Sequence, residues 1–156
     1  MVVQKIRCYK DLEILNHYTK FGPETRRATK DAIEYLKDVE IRYGGLIDRN
    51  GMRGTIAFQL DRIRPLIKSD LEAYAKKAER TAEYEEKEGK KLKVIADGFL
   101  IASGLLFMAT NFNPEIAIAG LLFSGIVYLE AFLCEGRALV KKDEARLLRE
   151  SDIEAE

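Results

Sequence analysis

Apolar positions are spread unevenly along this chain. Through residues 1–93 they recur every three or four residues among charged groups, and from Val94 to Cys134 they are nearly continuous. The dense part forms two runs, 94–112 and 115–134, which meet at Asn111-Phe112-Asn113-Pro114-Glu115. Each run has the length of about twenty residues that a helix needs to cross a bilayer core. Asn113 suits the cap of the second run, Pro114 its first helical position, and Glu115 the positive end of its dipole. The pattern predicts two transmembrane helices joined as a hairpin.

The sparser pattern before the hairpin predicts further helices. Val2, Val3 and Ile6 are compatible with a short strand, but the spacing of Ile6, Tyr9, Leu12, Leu15 and Tyr18 favours a helix over about 4–19. Phe21-Gly22-Pro23 breaks it, and Pro23 opens a second helix to residue 43. Ala28, Ala32, Leu36, Val39 and Tyr43 give that helix one apolar face, and Gly44-Gly45 suits a left-handed end. Residues 46–54 read as a loop. The next helix starts near Thr55 with Ile56, Leu60, Ile63 and Ile67 on one side, and Pro65 is expected to kink or end it. Ser69-Asp70-Leu71-Glu72 has the form of a capping box.

From Asp70 the sequence is rich in Ala, Glu and Lys and predicts a long helix leading into the first span, bent near Gly89. Its apolar stripe, Leu71, Tyr74, Ala78 and Thr81, is thin, which suits contact with one other helix. After Cys134 the second span is expected to continue as a helix that packs beside it. The predicted fold is all-α. It has an N-terminal helical region (1–69), a juxtamembrane helix (70–93), a two-span hairpin (94–134) and a C-terminal helix (135–156).

The formal net charge is zero, but residues 1–93 hold 21 Lys and Arg against 16 Asp and Glu, and residues 94–156 hold 5 against 10. The basic excess of the first part is small, and no nucleic-acid recognition motif accompanies it, so a nucleic-acid partner is not expected. Two cysteines, Cys8 and Cys134, and one histidine, His17, make neither a disulfide framework nor a zinc set. No metal or cofactor is expected. The first residues lack the long apolar core of a secretory signal. Lys87, Lys90, Lys91 and Lys93 precede the first span, Arg137, Lys141 and Lys142 follow the second, and the turn has no basic residue. The positive-inside rule then places both termini in the cytoplasm. A soluble bundle burying the hairpin is the alternative, but the other helices are too charged to cover it.

Asp97 and Glu130 lie within the apolar runs, where an acid is costly unless paired or hydrated. They are the candidate intramembrane polar or pore residues. The local alternatives are pairing of Asp97 with Lys93 and of Glu130 with Arg137. Gly98, Ala102 and Ala109 on the first span, and Gly120 and Ser124 on the second, are candidate close-packing positions. Ser103 and Ser124 can also bond back to their own helices. Arg49 and Arg53, in a glycine-rich stretch before a helix, are candidates for an anion or lipid headgroup, though the stretch lacks the Gly-Lys-Ser/Thr of a phosphate loop. Cys134 is a candidate for acylation or a small packing residue.

No nucleophile–base pair is recognisable, so catalysis is not expected. The leading expectation is a homo-oligomeric membrane pore or ion channel, with the N-terminal helices as its assembly and gating part. The alternative is a structural anchor, scaffold or envelope component without conductance. The expected partners are the lipid bilayer and further copies of the chain.

Overall fold

The computed structural model describes residues 3–18, 21–44, 46 and 49–155, with side chains over 5–17, 21–44, 46 and 50–151. The order is β1 (Val3–Ile6), α1 (Tyr9–Tyr18), α2 (Pro23–Tyr43), α3 (Arg49–Ala109), α4 (Pro114–Glu150) and β2 (Asp152–Ala155). Among the described residues the protein is all-α apart from one two-stranded sheet. The chain divides into two compact units, residues 1–76 with 145–156, and residues 77–144. Helices α3 and α4 each contribute to both.

The first unit corrects the reading of the N-terminus. In place of one helix from about residue 4, Val3–Ile6 is a strand paired in parallel with β2, Val3 opposite Asp152 and Ile6 opposite Ala155. A partner some 150 residues away decides the conformation, and local spacing does not contain it. Val2 lies outside the described residues. Helix α1 then starts at Tyr9, where the Asp11 carboxylate accepts hydrogen bonds from the backbone N–H groups of Arg7 (2.8 Å) and Cys8 (3.2 Å). An acid at the third helical position reaching back in this way is one half of a capping box.

Helix α2 begins at Pro23 and ends at Tyr43 as the sequence predicts. Gly44 follows with φ of −58°, so it stays right-handed where a left-handed end was expected. Gly45 lies outside the described residues. Of the predicted apolar face, Ala32, Leu36 and Val39 are buried and Tyr43 is exposed. Helix α3 starts at Arg49, six residues before the expected Thr55, and takes in Gly51 and Gly54.

Helix α3 also runs unbroken through Pro65, which was expected to kink or end it. Proline inside a helix costs about 3 kcal/mol. Ile63 and Ile67, on either side of it, are both buried, and burying a side chain of that size returns roughly 1.5–3 kcal/mol. Ser69 to Glu72 starts no helix. Asp70 instead accepts a hydrogen bond of 2.6 Å from the backbone N–H of Gly22, the residue before α2. A carboxylate at that point satisfies a free amide and faces the positive end of the α2 dipole. The core of this unit is Ile6, Leu12, Leu15 and Phe21 packed with Ala32, Ile33 and Leu36 of α2 and with Ile56, Leu60, Ile63 and Ile67 of α3. All four α3 residues of the predicted face are in it.

Candidate functional site: the helical hairpin

Between α3 and α4 the chain reverses at Thr110 to Asn113. The N–H of Phe112 bonds the carbonyl of Phe107 at 2.9 Å, and Asn111 has φ of 53°. This six-to-one bond is the outer bond of a Schellman ending, with asparagine in the left-handed position that glycine or asparagine usually fills, and Phe112 follows it with φ of 64°. On the other side the Asn113 Oδ1 accepts from the Glu115 N–H at 3.0 Å, which is the predicted cap. The turn is thus closed by local chemistry alone, and this explains its legibility.

The second unit, residues 77–144, is held together by small residues repeating in sevens. On α3, Ala82, Gly89 and Ala96 are buried, and Ser103 follows at the same interval; on α4 the matching positions are Ser124, Ala131 and Ala138. A seven-residue repeat keeps one seam of each helix facing the other. The contacts fix an antiparallel register. The Ser124 hydroxyl donates to the Ala96 carbonyl at 3.1 Å. A Cβ placed on Gly89 would lie 3.1 Å from the Ala131 carbonyl oxygen, and one on Gly120 would overlap the Ser103 side chain. Small residues allow this approach of backbones. Phe99 and Phe123 add a tilted ring pair at 4.4 Å between centroids.

Gly120 and Ser124 therefore lie in the contact as expected. Gly98, Ala102 and Ala109 do not: they are exposed on the single hairpin, and a Cβ at Gly98 would touch nothing within 4 Å. The sequence places those three on one side of the span, but the seam follows Ala96 and Ser103. The interval of seven was the available signal. It was hidden because the residues are alanine, glycine and serine and not large apolar groups. Ser103 bonds the carbonyl of Leu100 in its own helix at 3.0 Å, whereas Ser124 bonds across to α3.

The two acids of the apolar runs are both engaged. The Tyr128 hydroxyl donates to the Asp97 carboxylate. Lys93, the partner expected for Asp97, instead pairs with Glu135 at 2.6 Å. Arg137 takes Glu130 at 3.1 Å through one nitrogen and Glu85 at 3.1 Å through another. The pairing of Glu130 with Arg137 is one of the arrangements read from the sequence. Lys142 reaches Glu86 at 2.7 Å, and Lys90 reaches the same carboxylate at 2.9 Å. Lys93, Arg137 and Lys142 thus make three ion pairs from one helix to the other outside the apolar windows. Lys142 first and Lys90 second hold the Glu86 carboxyl down at about 2, and Glu130 and Glu85 raise Arg137. Exposed pairs of this kind contribute little stability each, so they serve register more than strength.

Outside the seam the hairpin is bare. Helices α3 and α4 each contain a window long and apolar enough to cross a membrane, and only 6% and 11% of those windows are buried. Ile101, Leu121, Ile126 and Phe132 are between 62% and 70% exposed. A soluble protein rarely leaves such an apolar surface uncovered.

The remaining candidates are scattered. Arg53 stands exposed in the first turns of α3, so the stretch expected to cradle an anion is helical, and the Arg49 side chain lies outside the described residues. Cys134 is buried beside Gly89, a packing role that leaves its sulfur closed to acylation in this arrangement. His17 is exposed. Among the described residues no cluster of His, Cys, Asp and Glu could hold a metal ion. No protein-family model, curated protein or solved structure matches this chain.

Proposed function

We propose that this chain is an integral membrane protein whose hairpin, residues 94–134, crosses the bilayer twice and anchors the helical unit formed by its two ends. The observation that carries the reading is the bareness of the apolar windows, 6% and 11% buried, beside a seam whose serines, Ser103 and Ser124, are both hydrogen-bonded. Lipid is the medium that covers such a surface without further protein. The parallel pairing of β1 with β2 supports placing both termini on one side of the membrane, since the two strands close the chain on itself. The flanking Lys and Arg support the cytoplasm as that side.

The structural role is favoured over a pore because Glu130 meets Arg137 and Asp97 meets Tyr128 within one chain. Neither acid then needs a hydrated channel to make it tolerable. One observation favours the pore as second reading: the side chains of Glu130 and Arg137 remain about half exposed, 51% and 50%. In a ring of hairpins such groups could face a central space and select cations. Purified protein in planar bilayers separates the two. The anchor reading expects no unitary conductance, with Glu130→Gln acting on stability alone. Cation-selective currents whose selectivity falls in Glu130→Gln would replace it with the pore.

A further inference from the structure

In the second unit, α3 and α4 frame a groove of about 390 Å³ at the end of the hairpin away from the 111–115 turn. Phe132, Leu133 and Val140 of α4 give it an apolar wall, and Arg137, Lys141 and Glu85 stand along it. Gly136 lines the same groove, and a Cβ there would meet nothing within 4 Å, so no side chain fills the opening. The groove lies across the end of the apolar run at Cys134. Phe132 and Leu133 are inside the run, and Gly136 to Lys141 are beyond it. At 1.5 Å per residue Arg137 stands about 4–5 Å past Cys134, and Lys141 about 10 Å. The headgroup layer on each side of a bilayer is roughly 5–7 Å deep. On the bilayer-spanning reading of the hairpin, on which this inference rests, the groove starts in the hydrocarbon and runs through the whole headgroup layer.

That placement selects the occupant. A plain hydrocarbon chain would leave the upper part, at Val140 and Lys141, uncovered, and Val140 is 66% exposed. A water-soluble ligand would not reach Phe132 and Leu133. The molecule that occupies both levels is a phospholipid, with its chains below and its phosphate above. The charges fit it as well. Along the groove Arg137 and Lys141 exceed Glu85 by one positive charge, and a phosphodiester carries one negative charge. Donors remain for it among the described residues. Arg137 gives Nε to Glu85 and Nη2 to Glu130 and Cys134, which leaves its Nη1 group. Lys141 gives one of its three N–H bonds to Glu144. Both side chains hold phosphate oxygens well. We infer that this groove binds one membrane glycerophospholipid. Its phosphodiester lies at Arg137 and Lys141, and an acyl chain passes over Gly136 to Leu133 and Phe132.

The test uses the full chain purified in detergent and titrated with dioleoylphosphatidylglycerol, with bound lipid counted by native mass spectrometry. One lipid per chain is expected to bind saturably. Dioleoylphosphatidylcholine, which keeps the phosphodiester, should bind too, and dioleoylglycerol, which lacks it, should not. Lys141→Gln should weaken binding about tenfold or more, the scale of one lost hydrogen bond to a charged group. Gly136→Leu, which puts a side chain into the opening, should weaken it at least as much. Lys87→Gln, at the same end of the hairpin but outside the groove, should leave it unchanged. Lys141 is at the rim, so its variant keeps the test decisive if Gly136→Leu folds poorly. Lipid taken up without saturation, equal uptake of dioleoylglycerol, or wild-type affinity in Lys141→Gln would overturn the site. In a chain that resists extraction by alkaline carbonate, those results would leave the membrane reading standing. Release by carbonate would overturn that reading and the site with it.

Discussion

Glycine at two positions of the hairpin has opposite meanings. Gly98 faces open space, while Gly120 is pressed against Ser103. Sequence cannot tell them apart, since both sit in apolar runs at helical spacing. The contrast gives a paired prediction. Gly98→Ala gains helix propensity with nothing to strike, so it should be neutral or raise stability by up to about 1 kcal/mol. Gly120→Ala makes the same gain but drives a methyl into Ser103, and overpacking of this kind costs about 1–3 kcal/mol. Thermal unfolding in detergent should therefore rank Gly98→Ala at or above wild type and Gly120→Ala below it. Equal melting of the two variants would mean that the seam does not pass through Gly120.

At the scale of elements, α3 is where local rules and tertiary packing disagree. Its glycines and Pro65 read as a loop and a break, and the helix runs through all of them. Four buried residues, Ile56, Leu60, Ile63 and Ile67, hold it against α2 and outweigh the local signals. Pro65→Ala should then stabilise the protein by about 2 kcal/mol, the helix penalty less the entropy that proline removes from the unfolded chain. Denaturant melts would show it, and a loss of stability would argue that the helix needs the proline bend. The interhelix charges give a second test. The folded pKa of Glu86 is about 2 against 4.5 unpaired, so its contribution is full above about pH 4.5 and fades as pH falls toward 2. The exposed setting keeps the effect small and salt-sensitive. The acid-induced drop in melting temperature should be shallower in Glu86→Gln than in wild type, and 1 M salt, which screens to about 3 Å, should shrink the difference. The apolar face of α2, the four-residue face of α3 and the 111–115 turn were legible because each is written within a few neighbouring residues. The β1–β2 pair, the Asp70 bond to Gly22 and the small-residue seam were not, because each needs a partner that spacing along one segment does not name.

At the scale of the whole molecule, the sequence argues for the membrane through length and charge, and the structure adds two observations, one on the cover of the hairpin and one on the ends of the chain. One is that the apolar windows stay bare. The other is that the chain ends meet, residues 3–6 beside residues 152–155. A soluble hairpin would need cover, and a chain with its ends on opposite sides of a bilayer could not form that sheet. Together they predict that Asn111 in the turn and Ser151 before β2 lie on opposite faces of a membrane. Single cysteines at these two positions, in a chain with Cys8 and Cys134 replaced by serine and alanine, can be probed in intact cells with a membrane-impermeant maleimide. Asn111→Cys should react from outside, and Ser151→Cys only after permeabilisation. The protein should also stay with the membrane fraction in alkaline carbonate, as a spanning helix pair must. Reaction of both positions from one side would mean that the hairpin lies along the surface or dips in without crossing. Release by carbonate would mean that another protein, and not lipid, covers the bare windows.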